Sequence, residues 1–227
     1  MPEAALPLTF DQDGLVTVVV QDRLTGEIRM VAHATLEAVR ATLASGRATF
    51  WSRSRGELWE KGKTSGNAIA VSRVLVDCDA DCLIYAAEAH GPSCHTGAPS
   101  CFFQVLENGA LVQTQEDSQT VLSRLEATLE GRKASSAGAS YTKSLYEGGA
   151  PLIGSKLREE AAELAVAVKD ESDARVTREA ADVVYHVLVA LRHRGIPWRD
   201  VLAVLESRVG TSGHEEKERR PKAAPSR

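Results

Sequence analysis

At about Ser118 the spacing of apolar residues changes from every second position to every third or fourth, and one layer of secondary structure cannot satisfy both periods. Upstream, β-branched and aliphatic runs at residues 15–20, 28–32, 48–52, 69–76, 83–87, 102–106 and 110–113 predict strands. Leu24-Thr25-Gly26 and Asn108-Gly109 predict the turns of two hairpins. A single helix is expected among these strands, capped by Thr35, carrying Leu36, Val39 and Leu43 on one face and stopped by Gly46. The first half is therefore α+β and rich in strands. Downstream the spacing predicts helices only: one through Val121, Leu122, Leu125 and Leu129, a short one at 141–147 after a small-residue linker at 133–138, and long ones at about 148–169 and 174–194. Gly195 ends the last of these, and Pro197 opens a final helix reaching about Val209. The join is placed at 112–117, giving a first domain of residues 1–115 and an all-α second domain of residues 118–211. Residues 212–227, with the charge run Glu215-Glu216-Lys217-Glu218-Arg219-Arg220, are expected to be a disordered tail.

Two such domains fit within 227 residues, and 43% hydrophobic with 26% charged residues is ordinary for a soluble protein. The formal net charge of −4 gives no global attraction for nucleic acid or for an anionic membrane surface. No apolar run approaches the ~20 residues that span a bilayer, and Met1-Pro2-Glu3-Ala4 lacks the charged and apolar regions of a secretory signal. A cytoplasmic protein is expected, with neither nucleic acid nor membrane as a partner.

All four cysteines, Cys78, Cys82, Cys94 and Cys101, fall within a short stretch of the first domain. In a reducing compartment such clustering favours metal or redox chemistry over disulfides. Asp77-Cys78-Asp79-Ala80-Asp81-Cys82 sets three carboxylates at alternate positions beside a thiol. Oxygen ligands of this density suit a hard cation such as Mg²⁺, whereas thiolates suit Zn²⁺. The aspartates also match the opening of an EF-hand loop, but Cys82 stands where that loop needs glycine and the flanks are strands. Cys94 and Cys101 are too far apart for a short zinc knuckle, and with Cys78 they make three candidate ligands. Three ligands and an open position describe a catalytic zinc; Cys82 as a fourth would close the site. His95 beside Cys94 is a candidate general acid or base. Between Trp51 and Asn67 lie Arg53, Arg55, Lys61, Thr64 and Ser65 with Gly62 and Gly66, a set of cations, hydroxyls and glycines suited to a phosphate, though not a Walker loop.

These motifs, from about Leu15 to Phe103, closely resemble phosphoribosyl-AMP cyclohydrolase of histidine biosynthesis. The resemblance is carried by Gln21-Asp22, Thr25-Gly26 and the segments 51–55, 58–67, 77–81 and 91–101. It implies zinc ligands at Cys78, Cys94 and Cys101 and magnesium ligands at Asp77, Asp79 and Asp81. It also implies a homodimer whose zinc sites are shared, with Cys78 supplied by the neighbouring subunit.

In the second domain, Leu157, Ala161, Leu164 and Val168 predict one apolar stripe and Val176, Ala180, Val183 and Val187 another. At ~100° per residue, Glu160 flanks the first stripe and Glu163 lies farther round the same side, Glu179 and Asp182 occupy the same flank of the second, and His186 follows one turn on. Packing the stripes together gathers four carboxylates for Mg²⁺, which commonly shares its ligands with substrate phosphates. The pattern is similar to the all-α nucleotide pyrophosphatases. Within that group Ser140-Tyr141-Thr142, the segment 156–163 and the segment 179–186 resemble phosphoribosyl-ATP pyrophosphatase. That resemblance implies metal carboxylates at Glu159, Glu160, Glu163, Glu179 and Asp182; the helical wheel alone leaves Glu159 pointing away.

Together the two resemblances imply a bifunctional hydrolase acting on phosphoribosyl nucleotides. The second domain would hydrolyse phosphoribosyl-ATP to phosphoribosyl-AMP and pyrophosphate, and the first would open the adenine ring at N1–C6, with His95 as proton shuttle. Two other readings stay open at this point: a zinc purine deaminase fused to a house-cleaning nucleotide pyrophosphatase, and a structural zinc module on a helical dimerisation domain. The deaminase's expected His-x-Glu and Pro-Cys-x-x-Cys are absent.

Overall fold

The structure is a computed structural model that describes residues 6–114, 119–134 and 140–209. The chain divides into two compact units, Met1–Thr120 and Val121–Arg227. Part of the expected join and the whole of the expected tail lie outside the described residues.

In the first unit, strands β1 (Val16–Asp22), β2 (Ile28–Ala34), β3 (Thr49–Ser52), β4 (Glu57–Glu60), β5 (Ile69–Val76) and β6 (Cys82–Ala89) form one sheet in the order β4-β3-β2-β1-β6-β5. A separate hairpin joins β7 (Gln104–Glu107) to β8 (Ala110–Gln113) through Asn108-Gly109. Every neighbouring pair in the large sheet is antiparallel except β1 with β6, where Thr17 pairs with Cys82 and Asp22 with Ala87. Strict alternation along β1 buries Val16, Val18 and Val20 against Leu83, Tyr85 and Phe50, the centre of this unit's core. The Asp22 carboxylate accepts from the backbone N–H groups of Leu24 and Thr25, at 3.1 and 3.0 Å, and so builds the expected turn into β2.

Helix α1 (Leu36–Ser45) has the expected ends. Thr35 Oγ1 accepts from Ala38 N at 3.2 Å, and Gly46 adopts φ +68° while its N–H bonds Thr42 O. Its buried face is not the expected Leu36, Val39 and Leu43. Ala38, Val39 and Thr42 are buried, and Leu43 is 53% exposed. Small residues let the helix approach β3 closely, and Thr42 Oγ1 accepts from Thr49 N at 3.0 Å. Strand β4 lies within the basic stretch, where no strand was expected, and pairs Trp59 with Phe50.

The second unit contains α2 (Val121–Ala134), α3 (Tyr141–Asp170), α4 (Asp173–His193) and α5 (Trp198–Arg208). Ser140 and Ser172 cap α3 and α4. Gly149, at φ +61° and ψ −161°, breaks α3 into a short and a long helix just before Pro151, as the glycine pair predicts. Leu129, Leu145, Ile153, Leu188 and Val189 form the core. The expected stripe on α3 is not what this chain buries: Val168 is 67% exposed, and Ile153 and Ala167 are the buried residues of that long segment. No described helix is long and apolar enough to cross a membrane.

Candidate functional site

The aspartates occupy the turn between β5 and β6. Asp77 N donates to Cys82 O at 3.1 Å, and Cys82 N donates to Asp77 Oδ1 at 3.0 Å, so the hairpin closes around its own acidic tip. Ala80 takes the left-handed conformation, φ +65°. The turn brings oxygens of Asp77, Asp79 and Asp81 within 4.8 Å of one another on the exposed surface. The Cys82 backbone N–H holds Asp77 below the ordinary carboxylate range, while the charges of Asp79 and Asp77 push Asp81 above it. Three convergent carboxylates whose mutual repulsion is already felt suit a hard divalent cation.

Cys94 and Cys101 flank a loop that folds back on itself. Cys94 N donates to Ala98 O at 3.1 Å, and Ser93 N donates to Pro99 O at 3.3 Å. Its far end is pinned to β2, where Ser100 Oγ donates to Ile28 O at 2.8 Å and Cys101 N donates to Arg29 O at 2.9 Å. The two thiols lie close enough to interact. Burial and the neighbouring Cys94 push Cys101 up to about 11. Burial also raises Cys94, but the Thr96 hydroxyl, donating to its Sγ at 3.1 Å, and nearby backbone N–H groups outweigh this and bring it below the ordinary thiol range. A thiol favoured as thiolate beside a second thiol suits zinc. Thr96 was missed in the sequence, where its only signal was a hydroxyl two residues beyond a candidate ligand. His95 is exposed, with Nδ1 3.8 Å from Cys94 Sγ. A cavity of about 730 Å³ opens beside this loop, bounded by Thr96, Glu27, Arg29, Phe103, Gln113 and Gln119.

Cys78 is exposed at the aspartate turn, and among the described residues it does not gather with Cys94 and Cys101 in one chain. Cys82 is partly buried. Burial, then the charges of Asp77 and Asp81, raise its thiol.

The basic stretch separates into two environments. Arg53 and Arg55 are exposed between β3 and β4, and Arg55 Nε lies 2.8 Å from Glu57. Lys61 is 7% exposed, with Nζ 5.9 Å from the Trp59 ring and close enough to Cys101 to favour its thiolate. Thr64 and Ser65 lie exposed in the turn that follows. Gly62, at φ +85°, passes so close to the Ala68 backbone that no Cβ fits.

In the helical unit, α3 brings Glu160 to Glu179 and Asp182 of α4, with oxygens within 4.8 Å of one another. Glu179 is 2% exposed and its Oε2 has no hydrogen-bond partner. Burial raises its carboxyl against the pull of Arg175, and Glu163 adds to the rise. A buried carboxylate oxygen left unpaired beside two further carboxylates suits a cation ligand. Glu163 is exposed, 3.4 Å from Arg175. Glu159 is exposed and pairs with Lys156 at 2.8 Å, outside the trio whose oxygens gather. His186, 3% exposed, stands 3.9 Å from Glu160.

Residues 30–103 match the family model of phosphoribosyl-AMP cyclohydrolase, and residues 122–209 match that of phosphoribosyl-ATP pyrophosphohydrolase. Curated relatives span both. The histidine biosynthesis bifunctional protein HisIE of Deinococcus radiodurans is 43% identical over 206 residues, covering 91% of this chain and 94% of the relative. The protein of that name from Caldanaerobacter subterraneus subsp. tengcongensis is 39% identical over 88% of this chain and 96% of its own. The one from Wolinella succinogenes is 39% identical over 94% and 96%. With both halves matched in one chain and in this order, the chain belongs to the bifunctional HisIE family, hydrolases of histidine biosynthesis that join a phosphoribosyl-AMP cyclohydrolase to a phosphoribosyl-ATP pyrophosphohydrolase.

Proposed function

We propose that the helical unit acts first, releasing pyrophosphate from phosphoribosyl-ATP with Mg²⁺, and that the β-rich unit then opens the purine of phosphoribosyl-AMP at N1–C6 with Zn²⁺ and Mg²⁺. The observation that carries the metal assignment is the buried Glu179 with its unpartnered Oε2 among Glu160 and Asp182. Glu160, Glu179 and Asp182 would hold Mg²⁺ there, with Glu159 and Glu163 as further candidates at its exposed margin. Asp77, Asp79 and Asp81 would hold Mg²⁺ in the other unit. Cys94 and Cys101 would hold Zn²⁺ together with a Cys78 donated by a second copy in a homodimer. When bound, Mg²⁺ neutralises phosphate charge and Zn²⁺ makes water a nucleophile at neutral pH.

The chain's own residues supply the rest. Thr96 stabilises the Cys94 thiolate through its hydroxyl. His95, exposed beside that thiolate, would carry the proton between the attacking water and the departing N1. Arg53, Arg55, Lys61, Thr64 and Ser65 would receive phosphate, the exposed arginines by charge and the hydroxyls by hydrogen bonds. Free thiols as ligands suit a reducing cytoplasm.

The test is to strip the protein of metal, restore Zn²⁺ and Mg²⁺ separately, and follow pyrophosphate and the ring-opened nucleotide from phosphoribosyl-ATP. Mg²⁺ alone should restore pyrophosphate release and leave phosphoribosyl-AMP to accumulate; Zn²⁺ with Mg²⁺ should restore ring opening. Ammonia as a product would favour the deaminase reading, and no turnover under any metal the structural one.

A further inference from the structure

Across the His186 ring from the carboxylates of the helical unit stands an aromatic group that the metal assignment does not use. Ser140 caps α3 and thereby fixes Tyr141 as its first residue, where the phenol reaches back to α4. Tyr141 Oη lies 2.9 Å from His186 Nε2, and His186 Nδ1 lies 2.9 Å from the main-chain oxygen of Asp182. A carbonyl oxygen can only accept, so Nδ1 carries the proton; in the neutral ring Nε2 is then the acceptor and the Tyr141 hydroxyl donates to it. With that ring neutral the phenol proton is committed to Nε2, and what Tyr141 Oη offers outward is a lone pair.

The ring is also held flat. Tyr185 stacks behind it, with centroids 6.5 Å apart and planes 21° from parallel. Tyr185 is fixed in turn by its hydroxyl's 2.8 Å hydrogen bond with Thr142 Oγ1, which accepts from Arg132 at 3.0 Å. Yet Tyr141 is 52% exposed. A supported aromatic face with an acceptor at its edge does not suit a phosphate oxygen, which brings lone pairs of its own. It suits a flat ligand that presents an N–H.

We propose that Tyr141 contacts the purine of the pyrophosphohydrolase substrate and accepts a hydrogen bond from the exocyclic nitrogen at C6, with His186 as the positioning residue that keeps the hydroxyl turned inward. The N1-substituted adenine carries an N–H at that nitrogen in both its amino and imino forms. This deepens the proposed function and rests on its placing the triphosphate at Glu160, Glu179 and Asp182.

The experiment uses the full chain with Mg²⁺ and compares pyrophosphate release from phosphoribosyl-ATP with release from its analogue bearing a carbonyl oxygen at C6, an acceptor facing an acceptor. Wild type should prefer the amino substrate by about 10-fold or more in kcat/KM, the worth of one neutral hydrogen bond with its mismatch. Tyr141→Phe keeps the ring and the stack and should raise KM for phosphoribosyl-ATP while leaving the analogue nearly unchanged, so that the preference collapses. His186→Gln should weaken the same preference, and Mn²⁺ affinity measured by electron paramagnetic resonance should be unaltered in Tyr141→Phe. Equal losses on both substrates would overturn the assignment, because the phenol would then contact something they share. Pyrophosphate release without discrimination by wild type would overturn it too, leaving the proposed function intact; no release from either substrate would remove both.

Discussion

Arg175 Nη2 lies 2.9 Å from Glu179 Oε1, one helical turn along α4, while the same guanidinium reaches Glu163 and Glu171 at 3.4 and 3.2 Å. One half-exposed cation thus serves several carboxylates and leaves the most deeply buried of them half satisfied.

Burial raises the Glu179 carboxyl above its ordinary range despite Arg175. A carboxyl whose folded pKa exceeds its unfolded one costs stability above that range, and the cost fades as falling pH protonates it. In the metal-free protein near neutral pH, Glu179→Gln should therefore melt a few degrees above wild type, and the gap should close as pH falls through the carboxylate range. Calorimetry in EDTA over a pH series checks this; a lower melting temperature near neutrality would mean that the Arg175 pair outweighs the burial.

Asp182→Asn preserves size and removes one charge from the helical cluster. Pyrophosphate release should fall by about 100-fold or more, while supplied phosphoribosyl-AMP is still opened at the wild-type rate. Parallel time courses of both nucleotides decide it. Comparable loss of both activities in a folded variant would require a single shared site.

Cys94→Ala removes the thiol that Thr96 polarises and should lose both zinc and ring opening. Cys82→Ala, at a partly buried thiol that does not gather with Cys94 and Cys101 among the described residues, should retain both. Zinc content by elemental analysis, read beside ring-opening rates, separates the two variants. Loss of zinc in step with activity in Cys82→Ala would make it a ligand and the site a closed one.

Gly62→Ala places a Cβ against the Ala68 backbone at φ +85°. The segment 61–67 must shift, at a cost of more than ~2 kcal/mol, and ring opening should fall while pyrophosphate release persists. Denaturant melts of the variant, with both activities assayed, check the expectation.

Local signals made much of this legible in the sequence. Thr35 and Gly46 set the ends of α1, Asn108-Gly109 set the β7–β8 turn, and the Gly148-Gly149 pair divided the long helical segment, because caps and tight turns are decided by a few neighbouring residues. Faces were harder. Leu43 outranks Ala38 in hydrophobicity, yet Ala38 is buried because α1 lies close against β3, a fact of tertiary packing. The helical wheel placed Glu160, Glu179 and Asp182 on facing flanks, and the structure joins these three. Glu163, set farther round the same side by the wheel, faces Glu179 while pairing with Arg175, whose reach no periodicity encodes. Thr96 and the unpaired oxygen of Glu179 were invisible, since each depends on a partner or on its absence in three dimensions.

The parallel pairing of β1 with β6 carries a consequence for how the chain is made. β1 can join β2 as soon as both have left the ribosome, but its other edge must wait until Thr17 can meet Cys82 across four intervening strands and a helix. Closing so long a loop is entropically slow, and until it happens a row of unpaired amides beside Val16, Val18 and Val20 stays open to solvent and to other nascent chains. The aspartate turn comes just before β6, so the acidic tip and the strand that completes the sheet emerge almost together. A cation captured at that turn would hold the β5–β6 hairpin closed at the moment β1 needs it.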